Sequence, residues 1–170
     1  MAQIEPQSLK RCRFWIAVFI VGLLLSGITA IPIEWELRIL ADWFGVLDSN
    51  AVPESAVAAW IGRVYHALKE INAEQPFVLY AFDWLAFGHV MIGLAMVGAW
   101  QDPVRNRWLF TFGKLACVLV IPWAFAFGAL RGIPIPWRLI DCAFGVFGLL
   151  PLYLAERAAK RQLWEAEEQP

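Results

Sequence analysis

Asp83, Arg131, Arg138 and Asp141 stand in or beside stretches of sequence that are otherwise apolar, and a histidine, His89, lies deeper in one of them. Ionisable side chains are costly in lipid, so a chain that keeps them there uses them for function or for a specific internal pairing. Two carboxylates and two guanidinium groups can form a neutral cluster that fixes helix register, or they can line a ligand pocket. His89 adds an imidazole, which either hydrogen-bonds within a helix bundle or ligates the metal of a haem or chlorin. A two-ligand haem also needs a second His or Met at equal depth, and the other histidine, His66, falls outside the apolar stretches. No catalytic residue can be named: there is no P-loop, no G-x-S-x-G, no H-E-x-x-H and no Ser paired with a buried His. Cys12, Cys117 and Cys142 show neither C-x-x-C spacing nor a His/Cys cluster, so no metal site is expected and all three read as small apolar fillers.

The elements that must carry these groups are four apolar stretches at about 14–31, 77–100, 108–130 and 137–155. A helix needs roughly 20 apolar residues to cross a hydrocarbon core about 30 Å thick. A chain of 170 residues that is 60% hydrophobic and 17% charged leaves no room for a further soluble domain. The prediction is an all-α, integral membrane four-helix bundle forming a single domain over 1–170, with Pro122 kinking the third span. Lys10, Arg11 and Arg13 before the first stretch give it the outline of a signal peptide. Cleavage after Ala30 would place bulky Ile28 at a recognition position that wants a small residue, so an uncleaved first span is expected. Lys10, Arg11, Arg13, Arg105, Arg107, Arg157, Lys160 and Arg161 flank one side of the spans, against Arg38, Arg63, Lys69, Arg131 and Arg138 on the other. That bias predicts a plasma (inner) membrane protein with both termini cytoplasmic. No basic patch is large enough for nucleic acid, and the absence of an internal repeat argues against a secondary transporter.

The first outer loop, 32–76, is too long for a bare connection and reads as two amphipathic helices capping the outer mouth of the bundle. Over 35–47, Ile39, Leu40, Trp43, Phe44 and Leu47 recur at three and four, as in a helix lying in the membrane interface. Asp48-Ser49-Asn50 marks a turn, and Pro53 opens the second helix. There Val57, Trp60, Ile61, Val64, Leu68 and Ile71 form one face, and Arg63, His66 and Glu70 the other, which is either a solvated face or a lid over the pocket. Gly22, Ser26 and Thr29 give the first span a small-residue stripe that predicts packing. Lys114 is expected to snorkel to the headgroups, and the acidic residues of 165–168 to be solvated.

The last span is the most patterned. Arg138, Asp141, Gly145, Gly148 and Leu152 share one helical face, which predicts an ion pair at i, i+3 above a glycine groove. The groove is either a close helix contact with Arg138 snorkelling, or the floor of a polar pocket. Asp83 lies six residues into the second span, about 9 Å deep. Asp141 lies at a comparable depth, so the two are expected to meet Arg131 and Arg138 at one level on the outer side. His89 points about 120° away from Asp83, on the face of Gly93, Met96 and Trp100.

Two segments, Phe82-Asp83-Trp84 through Gly88-His89 and Arg138-Leu139-Ile140-Asp141 followed by Gly145 and Gly148, resemble the VanZ-like family of small bacterial membrane proteins linked to envelope antibiotic tolerance. Trp84 stands where that family usually carries a Lys, and the Asn that follows its late Asp is missing here. The resemblance implies candidate site residues Asp83, His89, Arg138 and Asp141. Three functional readings follow: an envelope protein whose outer pocket (Asp83, Arg131, Arg138 and Asp141, with His89 and His66) takes a small or lipid-linked ligand; a non-catalytic subunit, or homo-oligomer, within a larger membrane complex; and a haem or pigment protein through His89. Ten tryptophans suit a protein contact surface as well as a lipid belt.

Overall fold

A computed structural model of the chain describes residues 7–48 and 50–160. The described residues form only helices joined by turns and loops, with no strand: α1 (Gln7–Ala30), α2 (Ile33–Trp43), α3 (Ala56–Glu74), α4 (Tyr80–Gln101), α5 (Arg107–Leu130) and α6 (Ile135–Ala159). A short 3-10 turn, Pro76–Leu79, leads into α4. Four stretches, Gln7–Thr29, Pro76–Gln101, Arg107–Leu130 and Ile135–Ala159, are long and apolar enough to cross a membrane, and the chain is a membrane protein. These are the four predicted spans. The first begins earlier than the hydropathy pattern suggests and the last ends later, because a helix continues its backbone hydrogen bonds through Lys10, Arg11 and Arg157 while an apolar run stops at them. The acidic tail at 165–168 and Ser49 lie outside the described residues; beside the latter, the Asn50 backbone N–H donates to the Asp48 carboxylate at 2.9 Å.

Between 11% and 28% of each span is buried within the chain, so most of the apolar surface faces outward. Phe147, Trp123 and Leu130 are among the most exposed side chains. Lipid is as apolar as leucine, so helices in it are held by close packing and polar contacts rather than by withdrawal from water.

The chain forms two compact units. One takes residues up to Leu23 and from Ile92 onward; the other is Leu24–Met91. In the first, Cys12, Ile16 and Phe19 of α1, Met96 and Ala99 of α4, Phe110 and Cys117 of α5, and Leu152 and Ala155 of α6 share one core. The closest seam is antiparallel, between α5 and α6. Gly145 lies against the backbone carbonyl of Cys117 and against Val120, Gly148 against the Cys117 sulfur and Phe19, and Gly113 against Leu152. The glycine groove is therefore a helix contact. The helices are joined by a turn in which Gly132 takes φ +67°, a conformation that suits glycine.

In the second unit α2 packs on α3. Leu37 and Ala41 of α2 are buried, as are Ala58, Ile61, Gly62, Tyr65 and Leu68 of α3. Ser55 caps α3 by accepting the Ala58 N–H at 3.1 Å, and the Asn72 amide donates to Glu34 at 2.6 Å. Trp43, on the stripe expected to face the membrane interface, is 79% exposed; of the α3 stripe Ile61 and Leu68 are buried but Val57 is 44% exposed. Ala41 is fully buried, and Gly62 lies against Val46 of the loop after α2, beside buried Leu37, Ile61, Tyr65 and Leu68. The stripe on α1 is displaced. Gly22 has open space around it and the Thr29 hydroxyl bonds to the Ser26 carbonyl, whereas buried Gly27 meets Ala86 and His89 of α4.

Adding one methyl at Gly145 meets a backbone carbonyl that cannot rotate aside. Gly145→Ala is expected to cost about 1–3 kcal/mol, an overpacking penalty. Gly22→Ala is expected to be neutral or slightly stabilising, since alanine favours the helix and nothing stands in its way. Thermal unfolding of the two variants in detergent distinguishes them.

Candidate functional site

The α5–α6 turn brings three of the predicted charges close in sequence. Arg131 ends α5 and is exposed. The Ile133 N–H returns to the Gly128 carbonyl at 2.8 Å, which closes the turn. The Ile133 carbonyl in turn accepts Nε of Arg138 at 2.6 Å. The aliphatic stem of Arg138 lies on Gly128, where a Cβ would come within 2.8 Å of Arg138 Cδ. Arg138 thus straps the start of α6 to the turn. Asp141 sits almost one helical turn further on and is half-buried.

The predicted ion pair between Arg138 and Asp141 is not formed. The turn presents a carbonyl with no helical partner, and a guanidinium is well suited to satisfy it. The side chains of Asp141 and Arg131 make no ion pair or hydrogen bond among the described residues.

Asp83 belongs to the other compact unit. It lies in the first turn of α4, where the helix dipole favours a negative charge. It is exposed and, like Asp141, has no ion-pair partner among the described residues. A shallow groove of about 230 Å³ surrounds it, lined by Tyr80, Trp84 and Phe87. These rings stack edge to face, with centroids 5.9 Å apart for Tyr80–Trp84 and 5.5 Å for Trp84–Phe87.

Both histidines are held by backbone carbonyls. Nδ1 of His89 lies 2.8 Å from the Leu85 carbonyl. A carbonyl can only accept, so Nδ1 carries a proton. The described residues contain no group of three His, Cys, Asp or Glu side chains able to hold a metal ion. His66 donates from Nε2 to the Val46 carbonyl at 3.2 Å, which ties α3 to the loop after α2. It is therefore a half-buried strut between helix and loop and does not sit on a solvated face.

At the opposite ends of these helices, Lys114 and Arg13, to which the sequence assigns no chemistry, both have partners. Lys114 does not simply snorkel: its ammonium meets Glu156 at 2.6 Å, with both side chains largely withdrawn from solvent. Glu156 follows directly on the last apolar stretch, and only the α5–α6 register brings it opposite Lys114. Arg13 donates to the Trp100 and Gln101 carbonyls at 2.9 and 3.1 Å and stacks on the Trp100 ring, which caps the end of α4.

Removing one partner of a half-buried pair strands the other charge. Glu156→Gln is expected to cost about 1–2 kcal/mol, between the values for exposed and fully buried pairs. The double variant Lys114→Met/Glu156→Leu should recover most of that loss, read as unfolding temperatures in a double-mutant cycle. Comparison of the chain with protein-family models, with curated proteins and with solved structures returns no match.

Proposed function

We propose that the chain is an integral protein of the cell envelope, seated in the plasma (inner) membrane with both termini cytoplasmic, whose outer side binds a small or lipid-linked ligand. The Lys and Arg bias supports this orientation. In it, α2 and α3 form an amphipathic cap on the outer side, with exposed Trp35 and Trp43 at headgroup depth.

One observation carries the ligand reading. Asp83, Arg131 and Asp141 lack ion-pair partners among the described residues, and Asp141 does so although half-buried, whereas half-buried Lys114 is paired with Glu156. A cluster kept only to lock helix register would have its charges paired. Charges left open at the membrane boundary are offset by an external group of complementary charge. In this reading Arg131, Arg138 and Asp141 of the first unit are ligand-binding candidates, Asp83 is a separate candidate on the second, and the likeness of two segments to the VanZ-like family belongs to the same proposal. A second reading, an accessory subunit of a larger membrane complex, is favoured by the aromatic groove around Asp83. An exposed carboxylate among rings on a spanning helix suits a basic residue of a partner helix.

Extraction into native lipid nanodiscs followed by mass spectrometry tests both readings. The wild-type chain is expected to carry a small or lipid-linked species that Asp141→Asn and Asp83→Asn each reduce by about tenfold, the loss of one charge-assisted bond. Unchanged occupancy in both variants, with unchanged unfolding temperatures, sinks the ligand reading. A stoichiometric protein partner lost only in Asp83→Asn establishes the second reading instead.

A further inference from the structure

A separate cavity of about 410 Å³ lies in the first compact unit, between the beginning of α1 and the end of α6. Gln7, Ser8, Arg11 and Trp15 line one wall, and Leu154 and Arg157 the other. Both walls fall in the terminal turns of spanning segments, so the cavity opens at the depth of the lipid headgroups.

Its chemistry is one-sided. Ser8 is only 9% exposed, and its hydroxyl is buried with no hydrogen-bond partner. A buried hydroxyl without a partner is a cost that most structures avoid, and it marks a place where an acceptor is wanted. Arg11 and Arg157 are exposed and make no ion pair among the described residues. No described acidic residue lines the cavity. The nearest carboxylate in sequence, Glu156, is held by Lys114. Two guanidinium forks can only donate, the Ser8 hydroxyl and the Gln7 amide can each donate as well as accept, and the Trp15 ring and Leu154 provide an apolar wall beside them.

The geometry points to a binding site for a phosphate group, either the phosphodiester of an anionic phospholipid or a soluble phosphate, held by Arg11 and Arg157 with Ser8 donating a third bond. Guanidinium matches phosphate oxygens two at a time, which an ammonium or a neutral headgroup site cannot do. The site is distinct from the Asp83 and Asp141 positions and does not depend on their reading.

Native mass spectrometry of the full chain in neutral detergent tests the site. The probes are short-chain phosphatidylglycerol, short-chain phosphatidylcholine and inorganic phosphate. Phosphatidylglycerol is expected to bind at least about tenfold more tightly than phosphatidylcholine, and Arg11→Gln/Arg157→Gln to remove that preference. Arg63→Gln, on α3, should leave it unchanged. Ser8→Ala separates a site from a packing defect: it should weaken phosphatidylglycerol binding by about threefold while raising the unfolding temperature of the ligand-free chain, because it deletes an unsatisfied hydroxyl. Competition by millimolar inorganic phosphate assigns a site for soluble phosphate, and its failure to compete assigns the lipid headgroup. If the double variant does not fold, Arg157→Gln alone carries the comparison. Equal binding of the two lipids by the wild-type chain, or unchanged phosphatidylglycerol binding in the arginine variant, overturns the assignment.

Discussion

The seam between α5 and α6 rests on backbone approaching backbone. Gly145 lies on the Cys117 carbonyl, and Gly113 receives the fully buried Leu152. In lipid there is no water to expel from between two apolar helices, so contact distance decides whether they associate. A side chain at either glycine would hold the axes apart and forfeit the dispersion contacts along the whole face. The rest of the first unit depends on that distance. Phe19 reaches Gly148 across the same groove, and the tight turn at Gly132 is compatible only with helices that run close together.

Once this register is set, the polar groups along it have different fates at its two ends. Toward the start of α5 and the end of α6, Lys114 and Glu156 neutralise each other. Toward the turn, the Ile133 carbonyl takes Arg138, and Asp141 is left without the partner that its spacing suggests. The competition is physical. A helix end buries carbonyls that no backbone N–H can reach, and a nearby guanidinium relieves that cost before it serves a carboxylate that water or a ligand can reach. The same preference explains Arg13, which caps the end of α4.

The sequence was legible where a property belongs to a segment. Each span's apolar length, the helical loop after the first span and the shared face of Gly145, Gly148 and Leu152 could be read directly, because hydropathy and helical period are local. It misled where two apolar directions on one helix compete. On α3 the apolar face read from the sequence is buried only in part: Ile61 and Leu68 are inside, Val57 is exposed, and Gly62 and Tyr65, outside that stripe, are buried instead. On α1 the packing residue is Gly27, one position from the Ser26 of the predicted stripe. The pairing of charges was the least legible property. Spacing at i, i+3 makes a pair available without saying what else is in reach, so Arg138 was assigned the wrong partner and Glu156 went unnoticed.

By itself, then, the amino-acid sequence determined that this is an all-helical membrane protein with four spans, and which ionisable groups lie near or within them. Burial of a long apolar run and the need to satisfy its backbone internally admit little else. The tertiary structure decided which of those groups are spent. Whether an arginine meets a carboxylate, a carbonyl or nothing depends on the register of helices far apart in the chain, and that register is set by the small residues at which backbones touch. It is also what leaves the Ser8 hydroxyl without a partner beside two open arginines, a juxtaposition that no spacing along the chain encodes.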